Sequence, residues 1–164
     1  MRLGSIEFWK NTRGTALAEA AIVLPLLVLM LGAAAEFGRF MYYYNTLGKA
    51  TRAGARYIVT REVSGPNAGT NLADAKNLVV FGNIGGTGAN VLNGANLTTA
   101  RVEICGITGG GPPTCPAAGI PQTIVVRITG YSYTPLFAIG PMQSLGIDIQ
   151  PSTTMRYMIT TPTE

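Results

Sequence analysis

The chain has no histidine, two cysteines and a single tryptophan in 164 residues, and only 12% of its residues are charged. Without histidine there is no imidazole general base, no histidine-centred triad and no histidine metal ligand. Two cysteines cannot complete a zinc site unaided. The eight acidic residues are scattered, and beyond the N-terminal third no close pair exists to serve a two-carboxylate hydrolase. The formal charge is +4, and it falls to +2 if Met1 to Gly14, which carries Arg2, Lys10, Arg13 and Glu7, is set aside. That charge, with no basic stripe interleaved with aromatics outside the long N-terminal helix, is too little for a nucleic-acid partner. Gly85-Gly-Thr-Gly88 is not followed by Gly-Lys-Ser or Gly-Lys-Thr, so no phosphate cradle forms there. The expectation is therefore of no catalytic residue, no metal, no cofactor and no small-molecule substrate.

What is present is a long apolar run. Thr15 to Ala35 is 21 residues with one charge, Glu19, and at roughly 1.5 Å per residue it spans the hydrocarbon core of a bilayer, about 30 Å. The helix continues past the membrane surface, because Phe37, Phe40, Met41, Tyr44, Leu47, Thr51, Gly54, Ala55 and Ile58 recur on one face at helical spacing. Two residues in the span need a reason. An ionisable group inside a membrane segment costs about 2 to 3 kcal/mol, so Glu19 is a candidate functional residue in search of a partner, unless it snorkels to a nearby interface. Pro25 removes a backbone hydrogen bond and should kink or open the helix between Ala21 and Pro25, unless it is a tolerated kink.

About 100 residues remain for a domain outside the membrane. With 21 glycines and 10 prolines in the chain, that domain should be rich in loops around a small core. Gly65, Pro66 and Gly69 end the long helix. A second helix should start with Asn71 as cap and Asp74 in its first turn, carry Leu72, Ala75, Leu78, Val79 and Phe81 as an apolar stripe packed on a sheet, and stop at Gly82. Gly82 to Thr99 reads as loop, with a turn at Asn93-Gly94; Asn96-Leu-Thr98 is too short a glycosylation pattern to inform. Thr99 to Ile104, Thr123 to Tyr133, Gly146 to Gln150 and Thr153 to Ile159 read as strands. Ile124, Val126 and Ile128 give the second strand a purely apolar face. A three- or four-stranded antiparallel sheet can lay that face on the long helix, with Ala50, Ala53, Gly54 and Ala55 permitting close approach. Cys105 and Cys115 flank the Gly109-Gly-Gly-Pro-Pro113 loop. An even count in a small domain suits an oxidising compartment, and a structural disulfide is favoured over a redox pair, which would need an adjacent base.

The leader Lys10-Asn-Thr-Arg13-Gly14, followed by Thr15-Ala-Leu-Ala-Glu19, resembles a type IV prepilin: a basic leader, a glycine, then an apolar helix with glutamate at its fifth position. The likeness sharpens to the TadE-like minor pilins, whose pattern is similar to Gly14 to Pro25, to Glu36-Phe37-Gly38-Arg39 and to Ala50 to Tyr57. In the tail, Tyr131-Ser-Tyr-Thr-Pro-Leu136, Ile147 to Gln150 and Ser152-Thr-Thr-Met-Arg156 look like that family's closing strands. The resemblance implies an α+β, pilin-like fold: a long N-terminal helix, transmembrane in its first half, packed on a small C-terminal antiparallel sheet. It implies a leader at 1–14, a transmembrane and amphipathic helix at 15–61, and an extracytoplasmic domain at 62–164. A prepilin peptidase would cut between Gly14 and Thr15, and Glu19 would pair with the new α-amino group, or with a neighbouring subunit's, during assembly with other pilins at the pilus platform. The alternative is that 1–14 stays as an uncleaved cytoplasmic tail. Arg39, Lys49 and Arg52 follow the span, so charge counting does not by itself place the N-terminus inside. The cysteines and the family pattern point to a single-pass inner-membrane protein with a periplasmic C-terminal domain. The function implied is a structural minor pilin or pseudopilin of a Tad/Flp (type IVb) pilus, with a role in assembly, secretion or cell adhesion. A membrane-anchored binding or sensing module, not processed as a pilin, is the alternative, and an enzyme would need a constellation the chain lacks.

Overall fold

A computed structural model of the chain describes residues 12–92, 96–136 and 146–159. The leader up to Asn11 and the Asn93-Gly94 turn lie outside the described residues. The elements run α1 (Thr12–Ile58), α2 (Ala68–Phe81), a 3-10 turn (Thr99–Arg101), β1 (Val102–Ile107), β2 (Thr123–Ile128), β3 (Ser132–Tyr133), β4 (Ile147–Asp148) and β5 (Ser152–Arg156). This is the expected α+β arrangement of one long helix and a small antiparallel sheet. The chain divides into two compact units at Arg39 and Phe40, so the second half of α1 is counted with the globular residues.

The first unit is apolar helix. Leu17, Ile22, Val23, Leu24 and every large apolar side chain from Leu26 to Leu31 stand exposed, so the helix is apolar on all sides rather than along one stripe. α1 is long and apolar enough to cross a membrane. It is continuous through Pro25, so the kink or opening expected at Ala21 to Pro25 does not divide the helix. Proline lacks only its own N–H, which leaves one carbonyl without a helical donor while the ladder continues on either side.

In the second unit the buried face of α1 is Leu47, Ala50, Thr51, Gly54, Ala55 and Ile58, a three-four spacing that lays one stripe on the core. The expected face is corrected at its start: Phe37, Met41 and Tyr44 are exposed, whereas Phe40 and Tyr43 are half-buried against the core. The reason is Tyr133, whose ring meets Phe40 and Tyr43 edge-on at centroid distances of 5.5 and 5.4 Å, an arrangement aromatic pairs favour. Thr51 is the one buried polar side chain among the described residues. Its hydroxyl bonds the Gly48 carbonyl at 3.1 Å and the Thr153 hydroxyl at 3.0 Å, which ties α1 to β5 and satisfies the buried oxygen. A Cβ on Gly54 would collide with Val79 Cγ2 and lie 3.2 Å from the Ala75 carbonyl, but 3.9 Å from Val126. The small residues of α1 thus admit α2 more closely than the sheet.

α2 starts one turn earlier than expected. Asn67 is the residue before it, with no side-chain cap bond. The Pro66-Asn67 turn closes through Ala68 N to the Gly65 carbonyl and leads directly into Asn71 N to the Asn67 carbonyl. Asn71 is therefore not a cap: its side chain donates to the Glu62 carbonyl at 3.0 Å. Asp74 falls in the second turn, where it accepts the Tyr57 hydroxyl at 3.1 Å. Gly82 ends the helix as expected, with φ +73° and its N–H on the Leu78 carbonyl, a left-handed conformation glycine takes without a Cβ penalty.

The sheet has order β1-β2-β5, all antiparallel. Val102 opposes Ile128 and Ile107 opposes Thr123, while Thr123 opposes Arg156 and Arg127 opposes Ser152. Ile124, Val126 and Ile128 are fully buried, as the apolar face required. The single strand expected from Thr123 to Tyr133 is split, because Gly130 turns at φ +63° and sends β3 to a separate two-stranded ribbon with β4. The end of the described chain returns to the end of α1. Tyr157 donates its hydroxyl to the Arg61 carbonyl at 2.9 Å and accepts Val63 N at 3.3 Å, and Met158 N donates to the Val59 carbonyl at 3.1 Å.

Candidate functional site

Gly14, Thr15, Glu19 and Pro25 all lie on α1, and all four are exposed. Thr15 and Glu19 are four residues apart, so they share a face about 6 Å apart along the axis. The Glu19 side chain forms no hydrogen bond or ion pair with another described residue. Gly14, Gly32 and Gly38 each have nothing within 4 Å of an added Cβ. Glycine within a helix costs roughly 0.5 to 1 kcal/mol relative to alanine, and no packing among the described residues offsets that at these positions. After the apolar run, Arg39 and Glu36 approach to 3.9 Å one helical turn apart. Phe37, Tyr42 and Tyr44 then stand 62%, 63% and 48% exposed, and tyrosine is a residue type enriched at a membrane–water boundary.

Cys105 and Cys115 form a disulfide with Cα atoms 4.3 Å apart, as the pairing of the two cysteines predicts. Cys105 is buried on β1, and Cys115 is exposed. The loop between them is closed by Gly111 N on the Thr108 carbonyl and by two bonds between Gly106 and Thr114. Glu103 and Arg127, directly opposite in the β1–β2 register, lie beside it. Arg127 donates Nε and Nη2 to Glu103 Oε2, both at 2.7 Å, and its Nη2 is 3.9 Å from Cys115 Sγ. Glu103, Cys105 and Cys115 place one potential ligand atom each within 4.8 Å of one another, but both sulfurs are joined and the carboxylate is held by the guanidinium, so no thiolate is offered to an ion. The residue reading missed the Glu103–Arg127 pair. Its signal was the alternation that put Arg127 on the polar side of β2.

A notch of about 120 Å³ opens between α1 and β5, lined by Tyr44, Asn45, Lys49 and Arg52 on one side and Ser152 and Thr153 on the other. No carboxylate or thiol lines it. Two tyrosines outside the span have raised pKa values. Burial first, then the hydrogen bond to Asp74 and the Asp74 charge, push Tyr57 up, against a smaller opposing effect of Arg61. Burial also pushes Tyr157 up, opposed by the Val63 N–H and aided by Glu62.

The family model of TadE-like proteins matches residues 14–56. The match opens on Gly14 and takes in Glu19, Pro25, Glu36 to Arg39 and most of the Ala50 to Tyr57 stretch, so it coincides with α1. The likeness read in the tail, from Tyr131 to Arg156, falls outside it. No curated protein and no solved structure matches this chain.

Proposed function

We propose that this chain is a minor pilin or pseudopilin of a Tad/Flp-type pilus apparatus, anchored by α1 in the bacterial inner membrane with its globular unit in the periplasm. The observation that carries the reading is the coincidence of the TadE-like match, residues 14–56, with a helix whose first half exposes its large apolar side chains from Leu17 to Leu31. A prepilin peptidase cuts between Gly14 and Thr15, and Glu19 then pairs with the α-amino group of Thr15 or of a neighbouring subunit. In hydrocarbon an unpaired carboxylate is strongly disfavoured, so the pair supplies both neutralisation and axial register between packed helices. The partners are other pilins and the assembly platform, and the role is structural, in assembly and surface attachment; the lack of histidine and of paired acids supports a non-enzymatic protein.

Intact-mass measurement of the protein from its native envelope is the first test, with a mature N-terminus at Thr15 expected. A chain that begins at Met1 contradicts the cleavage. Glu19→Leu should insert in the membrane as well as or better than the parent, yet fail to co-purify with the pilus apparatus. If it still assembles into functional pili, the pairing role of Glu19 is wrong. If it only blocks cleavage at Gly14, Glu19 is a peptidase determinant. The Lys49 and Arg52 side chains at the notch favour a second reading, an anchored binding module. That reading gains if the uncut chain is found apart from any pilus component.

A further inference from the structure

Sheet register as well as the crosslink joins Cys105 and Cys115. Gly106 and Thr114 exchange two backbone hydrogen bonds of 2.9 Å. One step along that antiparallel pairing the cysteines face each other as a non-hydrogen-bonded pair, the position at which opposed Cα atoms stand nearest. Ala117 N donates to the Ile104 carbonyl at 2.8 Å, and the Thr114 hydroxyl to the Gly106 carbonyl at 3.2 Å. Hydrogen bonds thus bracket Cys115 on both sides, and none of them needs the sulfur–sulfur bond.

The two sulfurs are not equivalent. Cys105 has no exposed surface, while Cys115 is exposed and has the Arg127 guanidinium 3.9 Å from its sulfur. A nearby cation favours thiolate, the form that reacts, and burial among apolar groups disfavours it. Glu103 lies within 4.8 Å of both sulfurs, so its charge does not distinguish them.

From this geometry we propose that Cys115 is the site at which a disulfide donor enters the protein, and that Cys105 is the resolving thiol. The Cys115 thiolate attacks one sulfur of the donor disulfide, forming a mixed disulfide and releasing the donor's other sulfur as thiolate. Cys105 then gives its proton to the Glu103 carboxylate, within 4.8 Å of it, and attacks the Cys115 sulfur, expelling the second donor thiolate. The protein dithiol is oxidised by two electrons, and one donor disulfide is reduced to two thiols. In the reverse direction an incoming thiolate reaches only Cys115 and must expel Cys105 as a buried thiolate, a poor leaving group. Opening from outside is therefore slow at its leaving step.

The test uses the full-length chain in detergent micelles. After reduction, limiting iodoacetamide followed by peptide mapping should label Cys115 at least roughly tenfold ahead of Cys105. With glutathione disulfide as donor, Cys105→Ser should accumulate a single glutathione adduct at Cys115. Cys115→Ser should stay unmodified until guanidinium unfolds it, after which Cys105 reacts. Equal or faster labelling of Cys105 in the reduced parent chain, which carries no substitution that can disturb the fold, overturns the proposal. So does glutathione capture by folded Cys115→Ser at the rate of Cys105→Ser.

Discussion

At Gly54 the packing has no room for a methyl group, and at Gly48 it has. A Cβ at Gly54 meets Val79 Cγ2 and the Ala75 carbonyl, whereas one at Gly48 meets nothing within 4 Å. Gly54→Ala should therefore destabilise the globular unit by about 1 to 3 kcal/mol through overpacking. Gly48→Ala should stabilise it by roughly 0.5 to 1 kcal/mol through helix propensity. Chemical denaturation of both variants checks the pair, and a loss at both positions contradicts the assignment. The tyrosines give a pH dependence with a definite sign. The folded pKa values of Tyr57 and Tyr157 lie above the ordinary phenol value, so the folded state favours the protonated phenols. Their stabilisation is whole below about pH 10 and is lost as pH rises through the raised folded values. Melting temperature should fall across that alkaline window, and it should fall less in a Tyr57→Phe, Tyr157→Phe double variant.

Among the elements, the disulfide loop is the one whose contribution can be removed cleanly. Closing a loop of ten residues lowers the entropy of the unfolded chain by an amount worth about 3 kcal/mol. Replacing both cysteines by serine should lower the unfolding free energy by about 2 to 4 kcal/mol while the Gly106–Thr114 pairing persists in amide hydrogen exchange. Loss of that protection would mean that the crosslink creates the register. Much of this architecture was legible in the residues. The apolar run, the Ile124, Val126, Ile128 face and the Gly82 stop each follow from a period or a backbone requirement intrinsic to the segment. The departures come from tertiary partners that a segment does not carry with it. Tyr43 packs against the core in place of Tyr44 because Tyr133, about 90 residues on, supplies a ring for it. Asn71 reads as a cap by type, but the Pro66-Asn67 turn had already started the helix. The Glu103–Arg127 pair depends on a register visible only once β1 is set against β2. At the anchor, Gly14 and Glu19 stood out because the helix itself gives no reason for either, and that signal is readable without a fold.

For the whole molecule, the division at Arg39 and Phe40 means that a chain beginning at Phe40 keeps every buried residue of α1, the first being Leu47. Such a truncation should be soluble without detergent and unfold in one cooperative transition; an aggregated or molten product would show that the apolar half is needed for folding. The docking of Tyr157 on Arg61 and Val63 has a temporal consequence. The hydrogen bond from Val63 to Tyr157 joins residues 94 positions apart, and at about 5 to 20 residues per second of synthesis the second partner follows the first by about 5 to 20 seconds. Through that interval the buried Thr51 hydroxyl has no Thr153 on β5 to bond. Contacts of such separation also slow the folding step itself, because loop closure precedes any gain from them. A protein built this way spends its early life as a tethered, unfinished chain, and whatever holds it at the membrane must hold it unfolded before it can hold it folded.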